Sequence, residues 1–167
     1  MFVQEAENRF RTGLEHLSRG RARDALPFIG AAVEVQQEID AGGHAQATYL
    51  SYHGLCLCLT RSSMSGGLQK CRLAAEMDPV NPEVWWNLGQ VALILERKGE
   101  AYRSFREGLR MYPRHPRINN SLQRMGVRRP AVLSFLSRRN PINRLLGRLR
   151  GRGTASTSFG AGAGRSS

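Results

Sequence analysis

The sequence predicts an all-α protein: a short α-solenoid of about three helix pairs, followed by a capping helix and a basic C-terminal extension. Pro79 and Pro113 are 34 positions apart, and a period of this length is typical of stacked helix pairs. Ile118, Leu122 and Met125 follow the i, i+4, i+7 spacing of one helix face. In solenoids, a terminal helix of this kind covers the apolar surface that the last repeat would otherwise expose.

The clearest repeat unit lies at residues 82–113 and reads PEVWWNLGQVALILERKGEAYRSFREGLRMYP. Small residues recur where two helices must approach closely, and large residues recur where the gap is filled. The residues that carry this pattern are Trp85, Leu88, Gly89, Ala92, Ala101, Phe105 and Pro113. The unit resembles a tetratricopeptide repeat (TPR), whose pattern is W-x2-L-G-x2-Y, A-x3-F and P over about 34 residues. Ala92 stands where that pattern has Tyr.

Two weaker units precede this one, so repeats are expected at about 5–40, 46–80 and 81–114, with a capping helix at 115–126. Gly13 and Gly54 occupy matching positions of the first two units and are 41 positions apart, seven more than the repeat length. Seven residues are about two helical turns, so we expect a lengthened helix over 22–40. The whole pattern resembles a bacterial-type TPR protein with a basic C-terminal extension.

The sequence carries no pattern for catalysis, and we expect neither enzymatic activity nor a cofactor. It lacks the H-E-x-x-H, G-x-S-x-G and G-x4-G-K-[ST] motifs. A metal site is not expected either, because Cys56 and Cys58 would project to nearly opposite faces of a helix. Three cysteines without the spacing of a disulfide framework fit a reducing compartment. Since the first residues also lack a signal-peptide pattern, the expected location is the cytoplasm.

The TPR resemblance implies a protein–protein interaction adaptor in which the first helix of each pair lines a shallow groove. A mostly apolar groove with a tryptophan suits an extended peptide or an amphipathic helix. By the family's pattern, the groove-binding residues are Phe10, Leu14, Leu17, Thr48, Ser51, Leu55, Trp86, Gln90 and Leu93. For each of them, burial against a neighbouring helix of the same chain is an equally good expectation.

One partner class of the family is not expected. Family members that hold acidic chaperone tails use a carboxylate clamp of Lys, Asn and Arg side chains. The positions that match the clamp carry Phe10, Leu14, Tyr52, Glu83 and Asn87. Only the asparagine is compatible with the clamp, and Glu83 would repel a carboxylate.

The charge is strongly asymmetric along the chain. Residues 1–107 hold 12 Lys and Arg and all 13 Asp and Glu, whereas residues 108–167 hold 13 Arg and no acidic residue. Such segregation suggests an anionic partner for one end of the molecule. The expected organisation is a TPR-like domain at 1–127, a basic extension with a short amphipathic helix at 128–150, and a disordered tail at 151–167.

The basic extension has two interpretations. Its apolar stripe, Ile142, Leu145, Leu146 and Leu149, either folds back onto the repeats as a cap or lies free in a binding arm. A second apolar cluster just before it favours folding back. The arginines around the stripe are candidate contacts for an acidic protein, an anionic membrane surface or a nucleic acid. They are Arg138, Arg139, Arg144, Arg148, Arg150 and Arg152. The alternative function is therefore a membrane-surface or nucleic-acid-associated scaffold that acts through this segment.

Overall fold

The computed structural model describes residues 2–38 and 44–126, which belong to one compact unit, Met1–Gly126. Within these ranges the helices are α1 Phe2–Ser18, α2 Ala22–Glu38, α3 His44–Leu59, α4 Met64–Met77, α5 Pro82–Ile94, α6 Lys98–Met111 and α7 Pro116–Arg124. No strand occurs among these residues, so the all-α prediction is confirmed. The predicted amphipathic extension and disordered tail lie outside the described residues.

Consecutive helices pack in pairs: α1 with α2, α3 with α4, and α5 with α6. Within each pair only three or four residues join the two helices, so the helices run side by side in opposite directions. The pairs also contact one another, because α3 touches both α2 and α5, and α4 touches α5. α7 packs on α6 at the end of the series. This arrangement is the short helical stack that the repeat spacing predicts.

A glycine lies at the crossing point of each helix pair. A Cβ atom on Gly54 of α3 would lie 2.5 Å from the carbonyl oxygen of Gly67 on α4. At Gly13 and Gly89 the added atom would lie 2.4 Å and 2.2 Å from a side-chain atom of the second helix of the pair. These contacts are shorter than van der Waals separations, so the absence of a side chain sets how closely each pair packs.

The turn inside each pair contains a residue in the left-handed conformation. Gly20, Arg61 and Glu96 have φ values of 72°, 58° and 60°, and each stands seven positions after the crossing glycine of its own pair. Glycine adopts this conformation without strain, whereas a residue with a Cβ atom does not. The three units therefore share one turn geometry, and only the first unit has glycine, the residue that adopts it without strain.

Local capping signals fix the starts of α4, α5 and α7. The side chains of Ser63, Asn81 and His115 accept hydrogen bonds from backbone N–H groups of the first helical turn. Pro82 and Pro116 stand at the beginning of α5 and α7. Proline lacks an N–H group, but no hydrogen bond is lost there, because the first N–H groups of a helix have no acceptor within the helix. These short-range contacts position the helices that carry the candidate site described below.

The extra residues of the first unit are shared between two helices. α2 has 17 residues, compared with 14 in α4 and in α6. α3 begins ten positions before its crossing residue Gly54, whereas α5 begins seven positions before Gly89. The prediction assigned the whole excess to the helix at 22–40. Among the described residues, each of the two helices has three more residues than its counterpart, which accounts for six of the seven extra positions.

The apolar core runs through all the helix pairs. Buried side chains form a continuous cluster from Ala6 on α1 to Val91 on α5, and a second cluster surrounds Phe105 on α6 and Ile118 on α7. Gly108 permits the approach of α7, since a Cβ atom there would lie 2.5 Å from the Cδ1 atom of Ile118. α7 therefore covers apolar surface that α6 would otherwise expose.

Candidate functional site

The first helices of successive units, α1, α3, α5 and α7, contact one another along one side of the stack, here called the front face. Tyr49 on α3 donates a hydrogen bond of 2.8 Å to Glu7 on α1. Gln90 on α5 donates a hydrogen bond of 2.8 Å to the Ser121 hydroxyl on α7. α7 thus continues the row of first helices in addition to covering α6.

Glu83, in the first turn of α5, is the centre of a polar cluster on the front face. Its Oε2 atom accepts hydrogen bonds from Tyr52 on α3 at 2.8 Å and from Arg117 on α7 at 2.7 Å. Its Oε1 atom lies 3.0 Å from Nε2 of His115. Since Nδ1 of His115 accepts the backbone N–H of Ile118, the ring hydrogen is assigned to Nε2, which donates to Glu83. Both carboxylate oxygens are therefore occupied within the chain.

Two of the residues that match the clamp positions, Tyr52 and Glu83, bind each other. Burial and the charge of Glu83 raise the pKa of Tyr52 to about 12, although Arg117 acts in the opposite direction. The phenol therefore stays protonated at neutral pH and keeps its hydrogen bond to the carboxylate. Asn87 is fully buried and donates a hydrogen bond of 2.8 Å to the Ser51 hydroxyl on α3.

Trp86 is a half-buried aromatic residue that the same cluster holds in place. The guanidinium carbon of Arg117 lies 3.5 Å from the centre of its ring, a stacked cation–π contact. Arg117 is itself fixed by its hydrogen bonds to Glu83 and Tyr52. Side chains from three helices thus set the position of one indole ring before any ligand is present.

An open pocket of about 510 Å³ lies beside Trp86, between α5 and α7. We call it the α5–α7 pocket. Its lining residues are Trp86, Gln90, Leu93, Lys98, Arg117, Asn120, Ser121, Arg124 and Met125. Three of them are cationic and, among these described residues, none is acidic. The pocket therefore combines an apolar surface with positive charge.

Three of the nine predicted groove residues line this pocket, namely Trp86, Gln90 and Leu93. Three others are half-buried on the remaining helices: Leu14, Leu17 and Thr48. The last three are buried: Phe10, Ser51 and Leu55. The Phe10 ring packs against the rings of Tyr49 and Tyr52, with centres 4.4 Å and 5.4 Å away. These buried side chains contact other parts of the chain and offer little surface to a ligand.

Six lining residues were not predicted from the sequence: Lys98, Arg117, Asn120, Ser121, Arg124 and Met125. The repeat length contained a signal for two of them, because Asn120 and Arg124 stand 34 positions after Trp86 and Gln90. The prediction treated α7 as a cap and did not extend the groove pattern to it. The predicted anionic-partner residues from Arg138 to Arg152 lie outside the described residues.

The cysteines are buried, free thiols. Burial raises the pKa of Cys56 to about 12, and it also raises the pKa values of Cys58 and Cys71. Thiols that stay protonated are poor nucleophiles and poor metal ligands. Over residues 2–38 and 44–126, no group of three or more His, Cys, Asp or Glu side chains could hold a metal ion. Within the same ranges, every helix is too short or too polar to cross a bilayer.

Comparison with known proteins finds similarity among solved structures. No protein-family model matches the sequence, and no curated protein is significantly similar to it. The Arabidopsis OM64 TPR domain, a solved structure, is similar with a TM-score of 0.58 at 19% sequence identity, covering 75% of this chain and 98% of that chain. The fold is that of a TPR domain. In TPR terms, the α5–α7 pocket lies between the first helices of the third and fourth units.

Proposed function

We propose that this chain is a non-catalytic protein-interaction adaptor that binds a peptide or helix of a partner protein on its front face. The observation that carries the proposal is the α5–α7 pocket, which joins a fixed aromatic ring to apolar and polar neighbours in a TPR fold. Large aromatic side chains in partly enclosed pockets are typical energetic centres of protein interfaces. A cytoplasmic location belongs to the same proposal.

The preformed geometry of Trp86 favours binding. An interface must offset the entropy lost when side chains are ordered, about 0.5–1.5 kcal/mol for each flexible side chain. Arg117 stacks on the ring and is held by Glu83, so most of this ordering is complete in the unbound protein. Leu93 and Met125 are half-buried beside the ring and extend the apolar surface that a partner side chain would contact.

A peptide-selection experiment tests the proposal. The full chain is used to select binders from a library of random peptides, and selected peptides are measured by calorimetry against Leu93→Ala. We expect this variant to weaken binding roughly tenfold, because it removes apolar contact inside the pocket. The matched control is Leu73→Ala, which truncates an exposed leucine on α4 and should bind like the wild type.

Two results would contradict the proposal. The first is that no peptide is enriched by the full chain. The second is that enriched peptides bind Leu93→Ala and the wild type equally well, which would place their binding outside the α5–α7 pocket. Thermal melting of both leucine variants by circular dichroism checks that each remains folded.

The alternative function is a scaffold that binds a membrane surface or a nucleic acid through its arginine-rich C-terminal segment. Its support is the concentration of 13 Arg and no acidic residue in residues 108–167. Binding of this kind weakens steeply with salt. The test compares the full chain with a chain ending at Ser137 for binding to phosphatidylserine vesicles and to RNA. Salt-sensitive binding that disappears on truncation would support the alternative, whereas equal binding by both chains would contradict it.

A further inference from the structure

We propose that one end of the helical stack binds an anionic membrane surface. Exposed apolar side chains of two turns enter the lipid headgroup region there, and arginines of α6 and of the turn after it contact lipid phosphates. This inference goes beyond the adaptor function, since none of the residues that carry it lines the α5–α7 pocket. It is also distinct from the alternative function, because these residues belong to the folded repeats and not to residues 138–152.

The first helices α1, α3, α5 and α7 begin at the same end of the stack, here called the lower end, because successive repeats stack in one orientation. Glu7 and Tyr49, which are joined by a hydrogen bond, are each the sixth residue of their helix, so α1 and α3 begin level with each other. Four residues connect α4 to α5 and α6 to α7, so these neighbours are antiparallel. The turns at 78–81 and 112–115 therefore lie at the lower end.

Exposed large apolar side chains are concentrated at the lower end. Of the eight that occur among the described residues, the five at the lower end are Phe2, Val3, Val80, Met111 and Tyr112. Among the same residues, the opposite end, where the turns inside each pair lie, carries one, Leu59. Exposed apolar side chains that cluster in this way mark an interaction surface, whereas single ones need no explanation. The lower end is therefore the better candidate for contact with a partner.

The α4–α5 turn and the end of α6 meet at Trp85. The indole Nε1 atom of Trp85 donates a hydrogen bond of 2.8 Å to the carbonyl oxygen of Pro79, the residue before Val80. On α6, a Cβ atom at Gly108 would lie 3.1 Å from Cβ of Trp85, and Met111 stands three positions further along the helix. Val80 and Met111 therefore lie close to one half-buried indole ring and form an apolar patch with it, here called the Trp85 patch.

Arginines line the helix that leads to the Trp85 patch. Arg103, Arg106 and Arg110 follow the spacing of one helix face and are exposed along α6. Arg114 is exposed in the turn that follows. The acid within residues 103–114 is Glu107, which forms an ion pair of 2.8 Å with Arg110. The other three arginines form no ion pair with a described residue, so they remain available to lipid phosphates.

The acids of the same part of the lower end do not neutralise these arginines. Asp78 is buried and ion-paired with His44, and Glu83 is bonded inside the front-face cluster. Glu76, in the last turn of α4, is exposed and forms no ion pair with a described residue. Three unpaired arginines thus stand against one unpaired acid, and a positive surface of this kind is attracted to anionic lipids.

The chemistry of the Trp85 patch favours lipid over nucleic acid. Val80 and Met111 are aliphatic and cannot stack on bases, whereas the headgroup region removes their surface from water. Tryptophan and tyrosine are enriched where a bilayer meets water, and Trp85 and Tyr112 stand at this end of the stack. Trp85 can also leave water without an unpaired N–H, because Pro79 already accepts it.

The test places an environment-sensitive nitrobenzoxadiazole fluorophore at the two ends of the stack. The full chain carries either Val80→Cys or, as the matched control at the opposite end, Leu59→Cys. The native thiols are buried and react poorly with the label, and the wild type treated with the same label is the blank. With vesicles of phosphatidylcholine and phosphatidylserine, we expect the Val80→Cys emission to shift to the blue and the Leu59→Cys emission to stay unchanged. Pure phosphatidylcholine or high salt should reduce the shift.

Polar substitutions measure the apolar contribution. The double variant Val80→Ser and Met111→Ser should weaken binding to the anionic vesicles roughly tenfold in a sedimentation assay, because less apolar surface leaves water. The control, Leu59→Ser and Leu73→Ser, changes two exposed apolar side chains away from the lower end and should bind like the wild type.

Neutralisation of arginines measures the electrostatic contribution. The double variant Arg106→Gln and Arg114→Gln should also weaken binding roughly tenfold at low salt. The control, Arg19→Gln and Arg23→Gln, makes the same change in net charge at two exposed positions near the opposite end and should retain binding. Attraction between the basic C-terminal region and the vesicles is equal in the two variants, so it cannot produce a difference between them.

Several outcomes would overturn the inference. If the chain sediments with the vesicles while the Val80→Cys emission is unchanged, the membrane contact lies outside the lower end. If the chain does not bind the vesicles, or if both labels shift equally, the inference is also wrong. A shift of the Val80→Cys emission with oligouridylate and not with vesicles would assign the Trp85 patch to nucleic acid. A shift without vesicles that grows with protein concentration would assign it to a second copy of the chain. The peptide selection tests the adaptor function separately.

Discussion

Replacing Gly54 with Ala tests a helix contact in which the nearest obstacle is a backbone atom. The added Cβ atom would lie 2.5 Å from the Gly67 carbonyl oxygen and 2.7 Å from Cys71 Sγ. The carbonyl belongs to the backbone of α4 and cannot rotate away, so α3 and α4 must move apart. Overpacking of this kind costs about 1–3 kcal/mol, and the upper end applies to a backbone obstacle. Alanine regains about 1 kcal/mol of helix propensity, so the expected net loss of stability is about 2 kcal/mol.

The matched control is Gly99→Ala on α6. Apart from its chain neighbours and the backbone of its own helix, no heavy atom of the described residues lies within 4 Å of a Cβ atom at Gly99. Only the propensity gain of up to about 1 kcal/mol should therefore appear. In thermal unfolding followed by circular dichroism, we expect Gly54→Ala to lower Tm by about 6–10 °C and the control to raise it slightly. A Tm of Gly54→Ala equal to that of the wild type would show that the helix pair yields at little cost, which would refute the close-packing argument.

Three further predictions concern the turns, the thiols and the front-face cluster. Arg61→Gly and Glu96→Gly should each raise the free energy of unfolding by about 0.5–1 kcal/mol, because both residues have positive φ values; a decrease in urea denaturation would contradict this. Stability should fall as pH rises above 9, because burial raises the pKa of Cys56 from its ordinary value of 9.0 to about 12. The thiol of the unfolded chain therefore loses its proton first. Cys56→Ala should reduce that fall, and an unchanged pH dependence would count against it. Glu83→Gln should lower stability by about 1–2 kcal/mol, since three side chains bond to a carboxylate that is partly screened by solvent; an unchanged Tm would show that the cluster adds nothing.

The helix pairs were predictable because their signals are local or strictly periodic. Small residues at the crossing points and prolines at one spacing mark the repeats. Asn81 and Pro82 begin α5 through contacts within a single turn. Such features are either a fixed spacing along the chain or a contact within one helical turn, and both can be recognised in the sequence alone.

The accessibility of the groove residues was not predictable in the same way. Phe10 matches a groove position of the family, yet the rings of Tyr49 and Tyr52 cover it. Whether a front-face side chain is open or buried depends on the size of the side chains on the next first helix, about one repeat further along the chain. The family pattern specifies which direction a position faces, and it leaves these neighbours unspecified.

The contacts between units show how the repeat length itself could predict a site. Tyr52 and Glu83 are 31 positions apart, and Gln90 and Ser121 are also 31 positions apart. Glu83 and Arg117, which form an ion pair of 2.7 Å, are separated by 34. Polar residues on first helices therefore meet when their separation is close to one repeat.

This relation also explains the charge of the α5–α7 pocket. Glu83 and Arg117 occupy equivalent positions of adjacent units and neutralise each other. Arg124 stands one repeat after Gln90, an uncharged residue that cannot neutralise it, and Lys98 begins α6 at the pocket's other side. α7 thus adds the cations Arg117 and Arg124 to the front face. The acidic side chain that α5 contributes to the front-face cluster, Glu83, is already bonded to Arg117. The positive charge that is not neutralised therefore lies in the α5–α7 pocket, next to Trp86, whose ring Arg117 holds in place.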